Sequence, residues 1–304
     1  MTEHEDADIP TNEGHGDHWA CLFRDIETTV TAHLPQVVSE GSLLGVAEPA
    51  PIMGEATAGI WWPGQANRGT LALVAINARN EDGTPGNLFM SAYPAVLDGP
   101  IQPLTIQEVL PWSNGIEGLV RATFPEEGGS GPEIAFFDTL FYLNRDRYRP
   151  GLTLPFRLAA FAHWAQVVHP EPVVIDNPET IAAMRKGTEH EGDMSPIDVI
   201  MSGAAILFPR DDLSPDDAEA QGPVRAVDHV LWAGVPLICC RITVVRLLDR
   251  EDEDIDIPVL IAPHAWKTEE RPEPGNDLQA LIWIQGCLAD NPAVSGAEGV
   301  APNG

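Results

Sequence analysis

The chain has 304 residues, 17 of them basic and 46 acidic, for a formal net charge of −29. So acidic a surface repels phosphates and anionic lipid headgroups, and non-specific nucleic-acid binding needs the Lys and Arg that are scarce here. Hydrophobic residues make up 44%, close to the roughly 45–50% of ordinary globular chains. A sizeable core is therefore expected, and the length admits two packed units.

Residues 1–18 (MTEHEDADIPTNEGHGDH) hold six acids, no Lys or Arg and one large apolar side chain, Ile9. The composition is that of a disordered acidic tail. It also lacks the basic start and apolar stretch of a secretory signal. No run reaches the ~18 apolar residues of a membrane span. A soluble, cytoplasmic protein is the expectation. With Met1 removed, the Thr-Glu-His start can chelate copper or nickel, which in a disordered tail reads as incidental.

A helix is predicted next, from Leu22, Phe23, Ile26, Val30, Leu34 and Val37 at helical spacing, ending near residue 34 because of Pro35. Strands follow at Thr70–Arg79, Leu88–Leu97, Gly118–Phe124 and Glu133–Leu140, separated by turn residues. Leu152–Val168 is the longest alternating run, consistent also with a strand that becomes a helix near Ala159. Asn177 as cap, Pro178 at the first helical position and Gly187 as terminator frame a second helix. Val235–Leu248 and Ile255–Pro263 read as a hairpin, with Pro258 arguing for an edge position. Leu278–Leu288 is the last strand, where Gly286 suggests a bulge or bend. Residues 289–304 read as a second disordered tail.

These elements imply a mainly β (α+β) fold with few helices, its antiparallel strands forming a small barrel or sandwich. The strand order of the C-terminal part is compatible with an OB-like barrel. The expected organisation is an N-terminal α+β unit over 19–125 and a C-terminal barrel-like unit over 126–288. A single domain over 19–288 remains open. No internal repeat is visible.

The most unusual stretch is FFDTLFYLNRDRYRPG, residues 136–151. Arg145, Arg147 and Arg149, with Tyr148 among them and Arg157 beyond, make a basic island in an acidic chain. Guanidinium groups bind carboxylate or phosphate bidentately, so this is a candidate anion site. The plainer reading is a polar turn whose arginines meet local acids. Asp138 lies in the apolar strand just before; burial would raise its pKa and suit it to acid–base work, although such a carboxylate more often bonds nearby backbone.

Among the nine histidines, His163 in a strand and His264 just after one are open to a catalytic or a structural role. Trp61 and Trp62 are adjacent, so in an extended segment one faces outward and is a candidate contact residue. The acids from Asp249 to Asp256 invite a calcium reading, but without a glycine at the bend an exposed hairpin tip fits better. Cys21, Cys239, Cys240 and Cys287 have neither metal-binding nor disulfide spacing and read as reduced. Nucleophile-elbow, phosphate-loop and dinucleotide motifs are missing, and no cofactor or metal is expected.

Three readings follow. The first is a non-catalytic binding or protein-interaction module, for which a basic protein is the fitting partner and nucleic acid is not. The second is an enzyme of unfamiliar class, using Asp138, His163, His264 and the Arg145–Arg149 island. The third is an oligonucleotide or oligosaccharide binder on a barrel face.

Overall fold

The computed structural model describes residues 13–48, 54–63, 67–79, 83–126, 129–210, 212–247 and 254–292. The first three residues of that set lead into helix α1 (Gly16–Ala20), followed by α2 (Ile26–Glu40). Asp25 caps α2 by accepting from the Thr28 N–H. The helix runs beyond the end predicted near residue 34, because Pro35 lies on its exposed side. There the carbonyl freed by the missing Pro N–H meets water.

Four strands come next: β1 (Ser42–Ala47), β2 (Ala56–Trp62), β3 (Arg68–Arg79) and β4 (Pro85–Val96). They form an antiparallel sheet in that order. Then come β5 (Ile101–Pro111), β6 (Gly118–Glu126) and β7 (Gly129–Asp138). Helix α3 (Phe141–Asn144) and a 3-10 turn (Arg145–Arg147) lead into β8 (Thr153–Val168). A connection with β9 (Val173–Ile175), α4 (Pro178–Arg185), β10 (Ile197–Val199) and β11 (Ile206–Pro209) joins this half to the next. The chain finishes with β12 (Asp217–Trp232), β13 (Val235–Val245), β14 (Ile255–Ile261) and β15 (Asp277–Leu288). The fold is thus mainly β, as expected, with α4 capped by Asn177 as its sequence predicts.

The strands β5–β8 and β12–β15 make two units with the same pairing pattern. In each, the first three strands form an antiparallel meander and the fourth returns to pair antiparallel with the first. The units then interlock. Strands β8 and β15 pair antiparallel with each other, β14 lies parallel to β8, and β7 lies parallel to β15. The eight strands therefore close into a ring, crossed by the β8–β15 pair. Bulges recur at matching places: Ile106/Glu108 and Val224/Ala226 in the first strands, Thr123/Pro125 and Thr243/Val245 in the second. A repeat that the sequence hides is therefore plain in the structure. Residues 125 and 126 lie at the end of β6, inside the β6–β7 hairpin.

Alternation along the strands feeds two apolar clusters. Phe156, Leu158 and Ala160 of β8 join one, with Val120, Phe136, Ile242, Val259 and Ile284. Ala159 and Phe161 join the other, in which Trp19, Leu71, Tyr93, Phe137 and Trp283 meet. The second cluster packs α1 and the four-stranded sheet onto the ring.

Three local expectations are corrected. Residues after Ala159 stay extended, since β15 offers pairing along β8 from Phe156 to Val168. Strand β14 is flanked by both β13 and β8, so it is no edge strand; Pro258 is tolerated because the pairing to β8 involves Val259 and Leu260. Gly286 keeps regular register, and the break in β15 falls instead at Leu281/Ile282. What requires glycine at 286 is the Phe136 ring, whose nearest atom would lie 2.5 Å from an added Cβ.

Candidate functional site

By composition residues 13–18 belong to the acidic tail, yet His15 and His18 are buried, as are Trp19, Cys21 and Leu22 after them. Trp19 and Leu22 stand three apart, so a single helical turn presents both to the ring. The Trp19 Nε1–H donates to the Ala92 carbonyl at 3.2 Å. The histidines are accommodated because polar groups meet them. His15 Nε2 lies 2.6 Å from Glu117 Oε1, and its Nδ1 lies 3.0 Å from His18 Nδ1. Glu117 also accepts from Ser91 at 2.9 Å and Asn114 at 2.5 Å. The His18 ring stacks on Trp283, with centroids 3.8 Å apart and planes 5° from parallel. Burial, then the neighbouring His15 and His163, hold the His18 pKa well below the ordinary value, so its ring is neutral at pH 7.

Beneath α1 a thiol, an imidazole and a carboxylate form a line. Three distant segments supply them: Cys21 ends α1, His163 sits in β8 and Asp217 opens β12. His163 Nδ1 lies 3.4 Å from Cys21 Sγ, and His163 Nε2 lies 2.8 Å from Asp217 Oδ1. Its place in β8 is special. Trp164 pairs with Leu281 and Ala162 with Ile282, so His163 is the extra residue of a bulge. Bulges re-aim a side chain in this way. Burial alone would lower the His163 pKa, but the hydrogen bonds to Asp217 and Cys21 reverse this and raise it to about 10. The imidazole is therefore an imidazolium at neutral pH, held between two acceptors. Next to it, Asp216 accepts from Trp283 Nε1 at 2.7 Å and from the Ser214 hydroxyl. Burial and the adjacent Asp217 push its carboxyl up to about 6.

His264 also reaches the α1 segment, its Nε2–H donating to the Ala20 carbonyl at 2.8 Å. Asp138 does not join them. It is fully buried and accepts from the Leu140 N–H at 2.9 Å and the Tyr148 hydroxyl at 2.5 Å. Burial raises its pKa to about 6 against those hydrogen bonds.

The basic island is folded into α3 and the 3-10 turn, so Arg145, Arg147 and Arg149 do not share a strand face. Arg147 makes a fork with Asp290 at 3.0 and 2.7 Å. Arg145 donates to the Gly115 carbonyl at 2.8 Å, and Arg149 to the Tyr148 carbonyl at 2.5 Å. Tyr148 is buried with Asp138. Trp61 is buried, whereas Trp62 is half-buried, edge-on to His33 with ring centroids 5.0 Å apart. The residues 249–253 of the acidic run, and His4, lie outside the described residues. Among the described residues, no cluster of His, Cys, Asp and Glu is suited to a metal ion.

Clefts open at the surface of the described residues. One, of about 310 Å³, lies beside α1 between Glu13, Trp19, Ser91, Trp112 and Asn114. Another, of about 500 Å³, is apolar and lined by Val230, Leu231, Leu237, Ile238 and Trp266. Sequence reasoning named His163 but missed Cys21 and Asp217 as its partners. No spacing joins residues that far apart in the chain, and the acidic composition masked the buried histidines beside them. No protein-family model, no curated protein and no solved structure matches the chain.

Proposed function

We propose that this chain is a non-catalytic interaction module that docks a basic, extended segment of a partner protein on the connection between its two four-strand units. The observation that carries this reading is the apolar surface of that connection. Val173, Val174, Met184, Met194, Ile200 and Phe208 are all exposed there, Ile200 at 75% and Phe208 at 64%. Large apolar side chains gathered on one connection mark interaction surfaces more often than chance exposure.

Strand β11 supplies the geometry. It pairs with β12 and ends the sheet order, so among the described residues its outer edge is unpaired. Ile206 and Phe208 project from one of its faces while Leu207 packs on the core. An extended segment can add to such an edge by main-chain hydrogen bonds, its alternate side chains meeting Ile206 and Phe208. Charge sets the partner's sign. Residues 169–210 hold seven acids against Arg185, Lys186 and Arg210, within a chain of net charge −29. The free, buried cysteines suit a reducing compartment such as the cytoplasm.

The test is selection from a displayed library of random twelve-residue peptides. Basic peptides with alternating apolar residues are expected, binding more weakly as salt rises and not at all to Phe208→Asp. Failure to enrich any peptide sensitive to Phe208→Asp overturns the reading. So does dimerisation of the chain through this edge, seen by light scattering and abolished by Phe208→Asp.

A further inference from the structure

We propose that Cys21 is a nucleophilic thiol, activated by His163 and Asp217, that reacts with small uncharged hydroperoxides. The four cysteines differ in what surrounds them. Burial raises the thiol pKa of Cys239 to about 11 and of Cys240 to about 12, and raises that of Cys287 further. Cys21 alone faces an imidazole, at 3.4 Å, whose other nitrogen is fixed by a carboxylate at 2.8 Å. The carboxylate on Nε2 fixes the ring so that Nδ1 points its proton at the sulfur. A base activates the thiol through this contact by taking the S–H proton on Nδ1, which the ring then holds toward the sulfur. An adjacent imidazolium also favours the thiolate, the reactive form.

The surroundings select the electrophile. Cys21 is only 1% exposed, so the attacking partner must be very small or must enter as α1 lifts. Helix α1 has five residues, and a single turn of that length has little stability of its own. Asp216, Asp217 and Glu117 are all buried in this layer, which disfavours anionic electrophiles. Hydrogen peroxide is small and uncharged. The sulfur attacks one peroxide oxygen; the S–O bond forms as the O–O bond breaks. The departing oxygen takes the Nδ1 proton of His163 and leaves as water. Sulfur is oxidised by two electrons to a sulfenic acid, the peroxide is reduced, and His163 is left neutral, still bonded to Asp217.

The experiment treats the whole chain with hydrogen peroxide in the presence of dimedone, which traps sulfenic acids, and reads each cysteine by peptide mass spectrometry. Cys21 is expected to be labelled on the order of a hundredfold faster than Cys239, Cys240 or Cys287, and that advantage should vanish in His163→Ala. A second measurement in the native chain follows alkylation by chloroacetamide from pH 6 to 8. The Cys21 rate should be highest in the native protein and fall in Asp217→Asn throughout that range. The proposal is overturned if Cys21 in the folded native chain reacts no faster than the other three. It is equally overturned if a folded His163→Ala variant keeps the native rate.

Discussion

Thr243 and Thr123 occupy matching positions in the two four-strand units, and each accepts a hydrogen bond from the residue that bulges out of the neighbouring strand. The donor is Arg225 Nε at 2.7 Å for Thr243 and Gln107 Nε2 at 3.0 Å for Thr123. Two positions earlier stand Arg241 and Arg121, paired with Asp256 at 3.8 Å and Glu133 at 3.1 Å. The bulge, the threonine and the ion pair thus form one device used twice to hold the meander in register.

The two copies differ in depth, which sets the first prediction. Thr243 is fully buried and also donates to Asp256 at 2.7 Å, so its hydroxyl links two charged groups. Thr123 serves an exposed, neutral glutamine. Thr243→Val should cost about 2 kcal/mol, because bonds to charged groups are the strong ones and their loss leaves partners unsatisfied. Thr123→Val should cost under about 1 kcal/mol. Urea unfolding of both variants measures the difference, and equal losses would refute the assignment.

Asp138 makes stability pH-dependent on the acid side. Burial raises its pKa from 3.8 to about 6. A carboxyl whose folded pKa is raised contributes most while protonated, below pH ~4, and that contribution is lost as pH rises through about 6. Asp216 does the same over the same range. Asp138→Asn keeps the shape but cannot ionise, so its stability should fall less between pH 4 and 6 than that of the native chain. Tyr148→Phe removes a donor that steadies the carboxylate and should shift the decline to higher pH. Thermal midpoints at half-unit pH steps resolve both effects.

His163 acts in the opposite range. Its pKa rises from 6.5 to about 10 on folding, so its favourable contribution is complete below pH 6.5 and disappears as pH approaches 10. The raised thiols of Cys239, Cys240 and Cys287 begin to matter only near pH 9. His18 and His33, lowered on folding, raise stability only until pH has passed well above 6.5, so the interval from pH 7.5 to 8.5 isolates His163. The native midpoint should fall steadily there, and His163→Gln should start lower and stay nearly level. A slope identical to the native one would show that His163 is not the titrating group.

The sequence reveals what is local. The alternation from Leu152 to Val168 and from Leu278 to Leu288 marks β8 and β15, because both faces of each strand are committed to a cluster and each residue's side is legible. It hides what depends on pairing. The swap in which β7 lies beside β15 and β14 beside β8 joins strands 148 and 99 positions apart at their pairs, and nothing in either strand names its partner. Composition misleads at Glu13–His18, where the acids are real but His15 finds Glu117 and His18 finds Trp283. The arginine island misleads in the opposite sense: strand alternation would have aligned Arg145, Arg147 and Arg149, but Phe141 and Tyr142 bury themselves by forming a helical turn instead.

The turn between β12 and β13 offers a stabilising change. Ala233 and Gly234 both have positive φ, 47° and 84°, as a two-residue hairpin loop of the favoured hand requires. Glycine meets that demand without strain, whereas an alanine Cβ crowds the following carbonyl at a cost of roughly 1–2 kcal/mol. Asparagine tolerates this region better than alanine. Ala233→Asn should therefore raise stability by about 0.5–1 kcal/mol, and Ala233→Val should lower it by at least about 1 kcal/mol, since a β-branched side chain is the worst fit to positive φ. Both variants leave the strands on either side unchanged, so urea midpoints at constant slope read the turn alone. Destabilisation by Ala233→Asn would mean that the turn's conformation differs from the one described.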